Sequence, residues 1–393
     1  MIVRTVRLSG VRCHETLVVD LGPGMSVLVG ANGAGKTTVL EGIHMVLAGG
    51  SPRTAQPREL ISWGCETLRV EVELAGDDDR VSTAALGYSG SGERRLTADG
   101  APLANTSRWE ESLPVRMFLP DDVRLVRGSP RRRRRFVDRM AAAADASYRE
   151  DLEAYEEALS QRNTLLRRGI VGQDHSVWEA LLATIGLRIV RARARTLQSL
   201  SSPYARLHDL LATSPEDSPP TLVYRTNASD LEETAYRERL ADQRDSDRRR
   251  TFTNLGPHRD DVRFMHQGRD LRSFGSQGEQ RTALLALLLA ERSWTAERTS
   301  RAPLLLLDDV MSELDEPRRR ALVALLREGG QVVIATTDLH HFVADELDSM
   351  TVVHLGSPTD VVGGVGLDEG GPDARAVDGG DTVDAVEREG AGD

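Results

Sequence analysis

Residues 30–37 decide the fold, and they read Gly30-Ala31-Asn32-Gly33-Ala34-Gly35-Lys36-Thr37. The stretch matches the pattern G-x-x-x-x-G-K-[ST] and directly follows a short apolar strand, Met25–Val29. Glycines allow successive backbone N–H groups to turn towards phosphate oxygens, and the helix that follows adds the positive end of its dipole. The stretch therefore predicts a phosphate-binding loop between a strand and a helix. A chance glycine-rich turn is the alternative.

Almost all basic residues of the chain are arginine. Of the 50 basic residues, only Lys36 is a lysine. A lysine ammonium is a compact charge that can bridge the β- and γ-phosphates of ATP. The Thr37 hydroxyl can ligate Mg²⁺, and Thr38 continues the same turn. We therefore predict that residues 30–38 bind ATP and Mg²⁺ and that Lys36 also contributes to catalysis.

A second motif follows four leucines, Leu304–Leu307, and consists of Asp308 and Asp309. A buried parallel strand would bring Asp308 beside the phosphate-binding loop, where its carboxylate can hold Mg²⁺. Asp309 is then placed to orient or deprotonate the attacking water, as a catalytic base. The alternative is a plain buried strand that ends in a polar turn.

A third motif lies 32 residues before Asp308, at the predicted start of a helix. Ser276 and the exposed N–H groups of Gln277 and Gly278, followed by Glu279, can form a second anion-binding site at a helix N-terminus. A simple helix cap is the alternative.

Composition divides the chain into four predicted parts. Residues 1–127 contain the phosphate-binding loop among antiparallel strands, and residues 128–250 predict a helical insertion, in which Pro203 interrupts one helix and another covers 230–250. Residues 251–355 alternate strands and helices, which is typical of a parallel sheet. Residues 356–393 carry ten acidic residues against two arginines and predict a disordered acidic tail. The fold class is α/β, a mixed sheet with an antiparallel meander and a parallel core, plus the insertion.

The densest basic run of the chain has seven arginines between Arg127 and Arg139. Arginines suit contacts with DNA phosphates. The alternative is a solvated helix start paired with nearby acids. The residues predicted to contact DNA are Arg131, Arg132, Arg133, Arg134 and Arg135.

Membrane insertion, secretion and disulfide bonding are not expected. No apolar run reaches 18 residues, and the N-terminus alternates apolar and polar residues. Cys13 and Cys65 alone cannot form a disulfide framework or a zinc site. We predict a cytoplasmic, nucleoid-associated protein without a membrane partner.

Together these motifs resemble the RecF family of bacterial recombination mediators, within the ABC/SMC-type ATPase superfamily, over nearly the whole chain except the acidic tail. Further matching stretches are Gly128-Ser129-Pro130, Gly256–Asp261 and Leu307–Asp315. The resemblance implies an ABC-type ATPase head in which the signature residues Ser276, Gln277, Gly278 and Glu279 bind the γ-phosphate held by the other subunit. It also implies a contact between Arg12 and ATP.

The resemblance further implies an ATP-dependent homodimer that binds duplex and gapped DNA and works with RecR and RecO in recombinational repair, the SOS response to DNA damage and replication restart. A weak DNA-stimulated ATPase would release the DNA. Two departures suggest slow turnover: Thr337 stands where transporters usually have a histidine, and Asp309 replaces the usual glutamate.

Two other functions remain open at this stage. A transporter-type ATPase subunit would need a membrane partner, and the 240 residues between Lys36 and Ser276 are too many for that class. A nucleotide-dependent scaffold without useful hydrolysis is compatible with Asp309. The stretch His258–Asp261 is either a structural polar cluster or a contact to nucleotide across the dimer.

Overall fold

The computed structural model describes residues 1–76, 80–106, 109, 113–170, 174–212, 220–228 and 231–356. Residues 357–393, almost the whole of the predicted acidic tail, lie outside this part of the chain.

The strands of the described residues form three sheets. In chain order they are β1 (Ile2–Val11), β2 (His14–Asp20), β3 (Met25–Val29), β4 (Thr67–Ala75), β5 (Val81–Ser89), β6 (Arg94–Ala98), β7 (Ala101–Pro102), β8 (Val115–Phe118), β9 (Thr221–Arg225), β10 (Asp261–His266), β11 (Arg269–Asp270), β12 (Leu304–Asp308), β13 (Val332–Thr336) and β14 (Met350–His354). One sheet is antiparallel with the order β2-β1-β4-β5-β6-β7, and one is parallel with the order β14-β3-β13-β12-β8. The predicted mixed architecture is therefore confirmed. The third sheet, β11-β10-β9, is antiparallel.

The helices connect these sheets and form most of the region between β8 and β10. They are α1 (Lys36–Ala48), α2 (Arg124–Arg127), α3 (Pro130–Ala144), α4 (Ser147–Arg167), α5 (Asp174–Leu211), α6 (Glu233–Asp242), α7 (Arg244–Arg250), α8 (Leu271–Phe274), α9 (Gln277–Thr299), α10 (Glu316–Arg327) and α11 (Ala344–Leu347).

Helix α1 lies between the antiparallel and the parallel sheet. Alternate residues of β12 show this arrangement, because Leu304 and Leu306 belong to the apolar core that includes α1. Leu305 and Leu307 point to a second core, which contains residues of α9 and α10. The unbroken run of leucines thus fits a strand that is buried on both faces.

Three predictions within the helical region need correction. Pro203 does not interrupt a helix but lies inside α5. Leu200 and Tyr204 are buried in the same core as α9, and this tertiary packing outweighs the local cost of proline. The helix predicted over 230–250 is two helices, α6 and α7, and strand β9 was not predicted. Since β9 pairs with β10, the predicted boundary at residue 250 separates strands of one sheet.

A buried ionic network holds the helices of this region together. Arg162 of α4 is fully buried and donates to the Asp247 carboxylate at 2.8 Å and to the Leu240 carbonyl at 2.9 Å. Its guanidinium also lies 3.3 Å from Glu179, which is paired with Arg244 as well. Such a network tolerates the loss of one member poorly, because the remaining charges stay buried.

We expect Arg162→Met to lower the free energy of unfolding by about 3–5 kcal/mol, because Asp247 loses its cation in a dry environment. The control is Arg188→Met, because the Arg188 side chain is 56% exposed and its pair with Asp151 should contribute at most about 1 kcal/mol. Urea unfolding of both variants measures the difference. Equal unfolding midpoints would contradict a structural role of the network.

Candidate functional site

The phosphate-binding loop curls around the ammonium group of Lys36. Gly33 and Gly35 have φ values of 87° and 82°, a left-handed conformation that favours glycine. Lys36 is 8% exposed, and its Nζ donates to the carbonyls of Gly30 at 2.8 Å and Ala31 at 2.9 Å. Burial lowers the pKa of Lys36, while the charges of Asp309 and Asp308 act in the opposite direction.

Asp308 lies next to the first turn of α1, as its motif predicts. The Thr37 hydroxyl is 2.9 Å from both carboxylate oxygens of Asp308. Burial raises the pKa of Asp308, and the hydrogen bond from Thr37 opposes that shift. A hydroxyl and a carboxylate are oxygen ligands of the kind that Mg²⁺ takes. No cluster of three or more His, Cys, Asp or Glu residues occurs in the described residues, so other ligands would have to come from phosphates and water.

Asp309 has a strained backbone and an unsatisfied side chain. Its φ is 50°, and its N–H donates to the Ala335 carbonyl at 3.0 Å, which joins the ends of β12 and β13. One carboxylate oxygen, Oδ1, is buried without a hydrogen-bond partner in the described part of the chain. Strain and an unpaired polar atom at one residue are costly and are typical of functional sites.

His340 and His341 come too late in the sequence to be identified with the expected histidine, but the structure brings His341 towards this site. The short turn Leu339–His341 lets the His341 Nδ1 lie 2.9 Å from the Thr336 hydroxyl at the end of β13. Burial lowers the pKa of His341, and the nearby Asp309 carboxylate is among the groups that raise it. Thr337, at the position where a histidine was expected, is exposed.

Glu41, a buried glutamate of α1, pairs with two arginines. The Arg12 guanidinium binds it at 2.5 and 2.8 Å and also donates to the Glu59 carbonyl at 3.4 Å. These bonds use three of its five N–H groups, and the contact between Arg12 and ATP stays a prediction. Arg53 lies 3.4 Å from Glu41, and its charge is among the effects that lower the pKa of Asp308. Sequence reasoning missed Arg53. The available signal was Glu41, the one acidic residue of α1.

The signature segment forms a helix cap and leaves its outer surface open. The Ser276 hydroxyl accepts from the Glu279 N–H at 3.2 Å, and the Glu279 carboxylate accepts from the Ser276 N–H at 2.6 Å. Hydrogen bonding by Ser276 lowers the pKa of Glu279. Ser276, Gln277 and Gly278 are exposed. Among the described residues, no hydrogen bond or ion pair joins residues 276–279 to residues 30–38 of the same chain.

One link runs from the signature helix to the segment after Asp309. Arg281 of α9 donates to Glu313 at 2.9 Å. An ion pair thus connects the helix of the signature motif to the segment that follows Asp309.

The structure corrects one predicted DNA contact. Arg133 is 3% exposed and binds both oxygens of Asp261, at 2.7 and 3.0 Å. It therefore has a structural role and is not available to DNA. Arg134 is half-buried and donates to the Asp260 carbonyl. The remaining members of the run are exposed: Arg131, Arg132 and Arg135.

In the polar stretch His258–Asp261, Asp260 is buried, His258 and Asp261 are partly buried, and Arg259 is exposed. Tyr155 is 2.8 Å from the His258 Nδ1, and the His258 Nε2 is 2.9 Å from the Thr253 carbonyl. Since a carbonyl only accepts, Nε2 carries the proton. Burial lowers the pKa of His258 to about 4. These contacts favour the structural interpretation of the stretch.

Comparison with known proteins identifies the family. The family model described as RecF/RecN/SMC N terminal domain matches residues 2–357. The "DNA replication and repair protein RecF" of Symbiobacterium thermophilum is 37% identical over 355 residues, which cover 88% of this chain and 94% of that protein. The chain belongs to the RecF family. The RecF protein of Heliobacterium modesticaldum is 35% identical, over 88% of this chain and 95% of its own.

Solved RecF structures are also similar. One is described as the recombination mediator protein RecF-ATP in the RecFOR pathway, with a TM-score of 0.73, 29% identity and coverage of 86% of this chain and 92% of that one. An Smc head domain from Pyrococcus furiosus, with a TM-score of 0.55 and 17% identity over 91% of this chain and 94% of its own, shares the fold. Within the described residues, no helix is long and apolar enough to cross a membrane.

Proposed function

We propose that this RecF-family protein is an ATP-dependent DNA-binding protein of recombinational repair, the DNA-damage response and replication restart. The observation that carries the proposal is the arrangement of Lys36, Thr37 and Asp308, which joins the phosphate-binding loop to the end of a buried parallel strand. Relatives named as DNA replication and repair proteins and a solved RecF-ATP structure support it.

Residues 30–38 would bind the phosphates of ATP. Backbone N–H groups of the loop and the N-terminus of α1 supply positive electrostatic potential, and Lys36 adds a full charge. In the present structure its ammonium has two carbonyl partners, so it is held at the centre of the loop. Thr37 and Asp308 would hold Mg²⁺, which neutralises charge on the phosphates.

Asp309 is the proposed base of ATP hydrolysis. Its unpaired carboxylate oxygen can accept a proton from the attacking water, and its backbone is anchored to β13. His341 is 2.9 Å from the hydroxyl of Thr336, the residue of β13 that follows Ala335. We propose it as a second polar side chain at the site of hydrolysis, in addition to Asp309. Because aspartate is a methylene shorter than glutamate, we expect slow turnover of ATP. We also expect DNA to stimulate this turnover.

Dimerisation completes the site in this proposal. The exposed N–H groups of Gln277 and Gly278, beside the Ser276 hydroxyl, would bind the γ-phosphate of ATP held by a second copy of the chain. ATP would thus join two subunits around duplex or gapped DNA, and hydrolysis would release them.

The N-terminal half of α3 is the proposed DNA surface. Arg131 and Arg135 are exposed and, with the half-buried Arg134, line a cavity of about 380 Å³. Arginine side chains at such a surface can bind phosphates without reading sequence. DNA binding would place the protein at the nucleoid, where RecR and RecO are the proposed partners.

Two alternatives differ from this proposal in their requirements. A transporter-type subunit needs a membrane partner, and the length of the insertion between the loop and α9 disfavours it. A nucleotide-dependent scaffold would bind ATP and dimerise without turnover. A turnover assay with and without DNA separates the scaffold from the ATPase.

Lys36→Ala tests the nucleotide site. We expect ATP affinity to fall about tenfold to a hundredfold in calorimetry, because a charge-assisted contact of about 1.5–3 kcal/mol is lost. In gel filtration with duplex DNA, the ATP-dependent dimer should disappear. Arg69→Ala, which removes an exposed cation of β4, is the control and should behave like the parent. Unchanged ATP affinity of the Lys36 variant would refute the assignment.

A further inference from the structure

We propose that Cys13 is a modifiable thiol, and that a mixed disulfide with a low-molecular-weight disulfide at this position closes the phosphate-binding loop to nucleotide. The consequence for nucleotide rests on the proposed function, whereas the reactivity of the thiol does not.

Cys13 lies against the loop. It is exposed, in the turn between β1 and β2, and its Sγ is 3.8 Å from the Thr38 hydroxyl in the first turn of α1. A Cβ placed on Gly35 would lie 2.8 Å from the Cys13 Sγ and would overlap the His14 ring. The thiol and the imidazole are therefore neighbours, and both touch the last glycine of the loop.

His14 is the second observation that points to chemistry here. It is 7% exposed, and its Nε2 is buried without a hydrogen-bond partner in the described residues. Burial lowers the pKa of His14, and the Gly35 backbone opposes this shift to a smaller extent. A neutral imidazole whose free nitrogen adjoins a thiol can accept the thiol proton.

The turn that carries the thiol is held in place. The Arg12 N–H donates to the Leu60 carbonyl at 2.8 Å, and the Arg12 side chain binds Glu41. Arg12 itself has a left-handed φ of 50°. Cys13 is thereby held next to Gly35 and Thr38, so an adduct on its exposed sulfur stays attached beside the loop.

The reaction needs only the Cys13 thiol, the disulfide and His14 as a proton acceptor. The Cys13 thiolate attacks one sulfur of the disulfide RSSR, whose S–S bond breaks as the new bond between Cys13 and SR forms. The leaving thiolate, RS⁻, takes up the proton that His14 accepted. The disulfide is reduced, and Cys13 is oxidised.

The expected effect follows from the lack of space beside the loop. Gly35 cannot accommodate even a methyl group without a clash with His14 and Cys13. A group of several atoms on the Cys13 sulfur would lie beside Gly35 and Thr38 and, in our proposal, would block part of the space that the nucleotide needs. We expect ATP affinity to fall at least tenfold and to return when a thiol reductant removes the adduct.

The experiment uses the full chain in two single-cysteine variants, Cys65→Ser and Cys13→Ser, treated with glutathione disulfide. Mass spectrometry should show that Cys13 reacts at least tenfold faster than Cys65 and that ATP protects it. Calorimetry before and after dithiothreitol measures the loss and recovery of ATP binding. Equal rates for the two cysteines, or unchanged ATP affinity of the adduct, would overturn the proposal.

His14→Gln isolates the role of the imidazole, and Cys13 should then react several-fold more slowly. If this variant folds poorly, the parent chain is tested instead. If a saturating ATP concentration then fails to protect Cys13 from modification, the proposed position of Cys13 at the loop is contradicted. If the unmodified chain binds no ATP at all, the proposed function fails. The rate ratio between the two cysteines still decides whether Cys13 is reactive.

Discussion

Asp309→Asn should bind ATP with parental affinity and hydrolyse it about 100-fold to 10,000-fold more slowly, because water loses its base. The Asp308 carboxylate and the Thr37 hydroxyl remain available to Mg²⁺. Asparagine also tolerates the left-handed backbone that Asp309 adopts, so the fold should persist. Without turnover, the ATP-bound dimer should accumulate on DNA. Single-turnover hydrolysis and gel filtration with ATP and duplex DNA measure the two effects.

Asp309→Glu is the matched control for this variant. It keeps a carboxylate at the same position and extends it by one methylene, so turnover should continue and the trapped dimer should not form. Parental turnover in Asp309→Asn would exclude Asp309 as the base. Loss of turnover in both variants would instead indicate that the backbone of this strained residue, rather than its carboxylate, is essential.

Local signals in the sequence predicted the parallel core well. The sequence predicts strands over 25–29 and 332–336 and a helix over 316–327. These bounds agree with β3, β13 and α10, because unbroken apolar runs and the helix cap Asp315 depend on nearby residues only. For α9 the sequence predicts a helix over 277–292, because the charges of Glu291 and Arg292 interrupt the apolar run, but the helix continues to Thr299. Glu291 is buried there and paired with Arg116 and Arg139, which are far away in the sequence. Such long-range pairing cannot be seen in a local pattern.

The same limit applies to the candidate site. Motif spacing predicted that Asp308 lies near Thr37, because carboxyl ends of parallel strands share an edge with the loop. Burial of Arg133 depends on Asp261, more than a hundred residues later, so sequence reasoning counted this arginine with its exposed neighbours. His341 reaches the site through a turn whose direction the sequence does not specify.

Ser276→Arg should leave ATP binding to the monomer intact and abolish ATP-induced dimerisation, hydrolysis and stable DNA retention. The long cation would fill the exposed N-terminus of α9, where the γ-phosphate of the partner is expected. Ser276→Ala is the control, because it removes only the cap hydroxyl that accepts from Glu279, at a cost of about 1 kcal/mol. It should still dimerise with ATP. If Ser276→Arg dimerises as well, Ser276 is a helix cap and nothing more.

Mixing Ser276→Arg with Lys36→Ala tests whether the two motifs act between subunits. A heterodimer has one intact composite site, in which the Lys36 of one subunit meets the Ser276 of the other, while the second site carries both defects. ATP-dependent dimerisation should therefore recover partly on mixing, although neither variant dimerises alone. Recovery is not expected if both motifs serve the same chain, because each subunit would then lack one essential part. Gel filtration of the mixture with ATP, with each variant alone for comparison, distinguishes these arrangements.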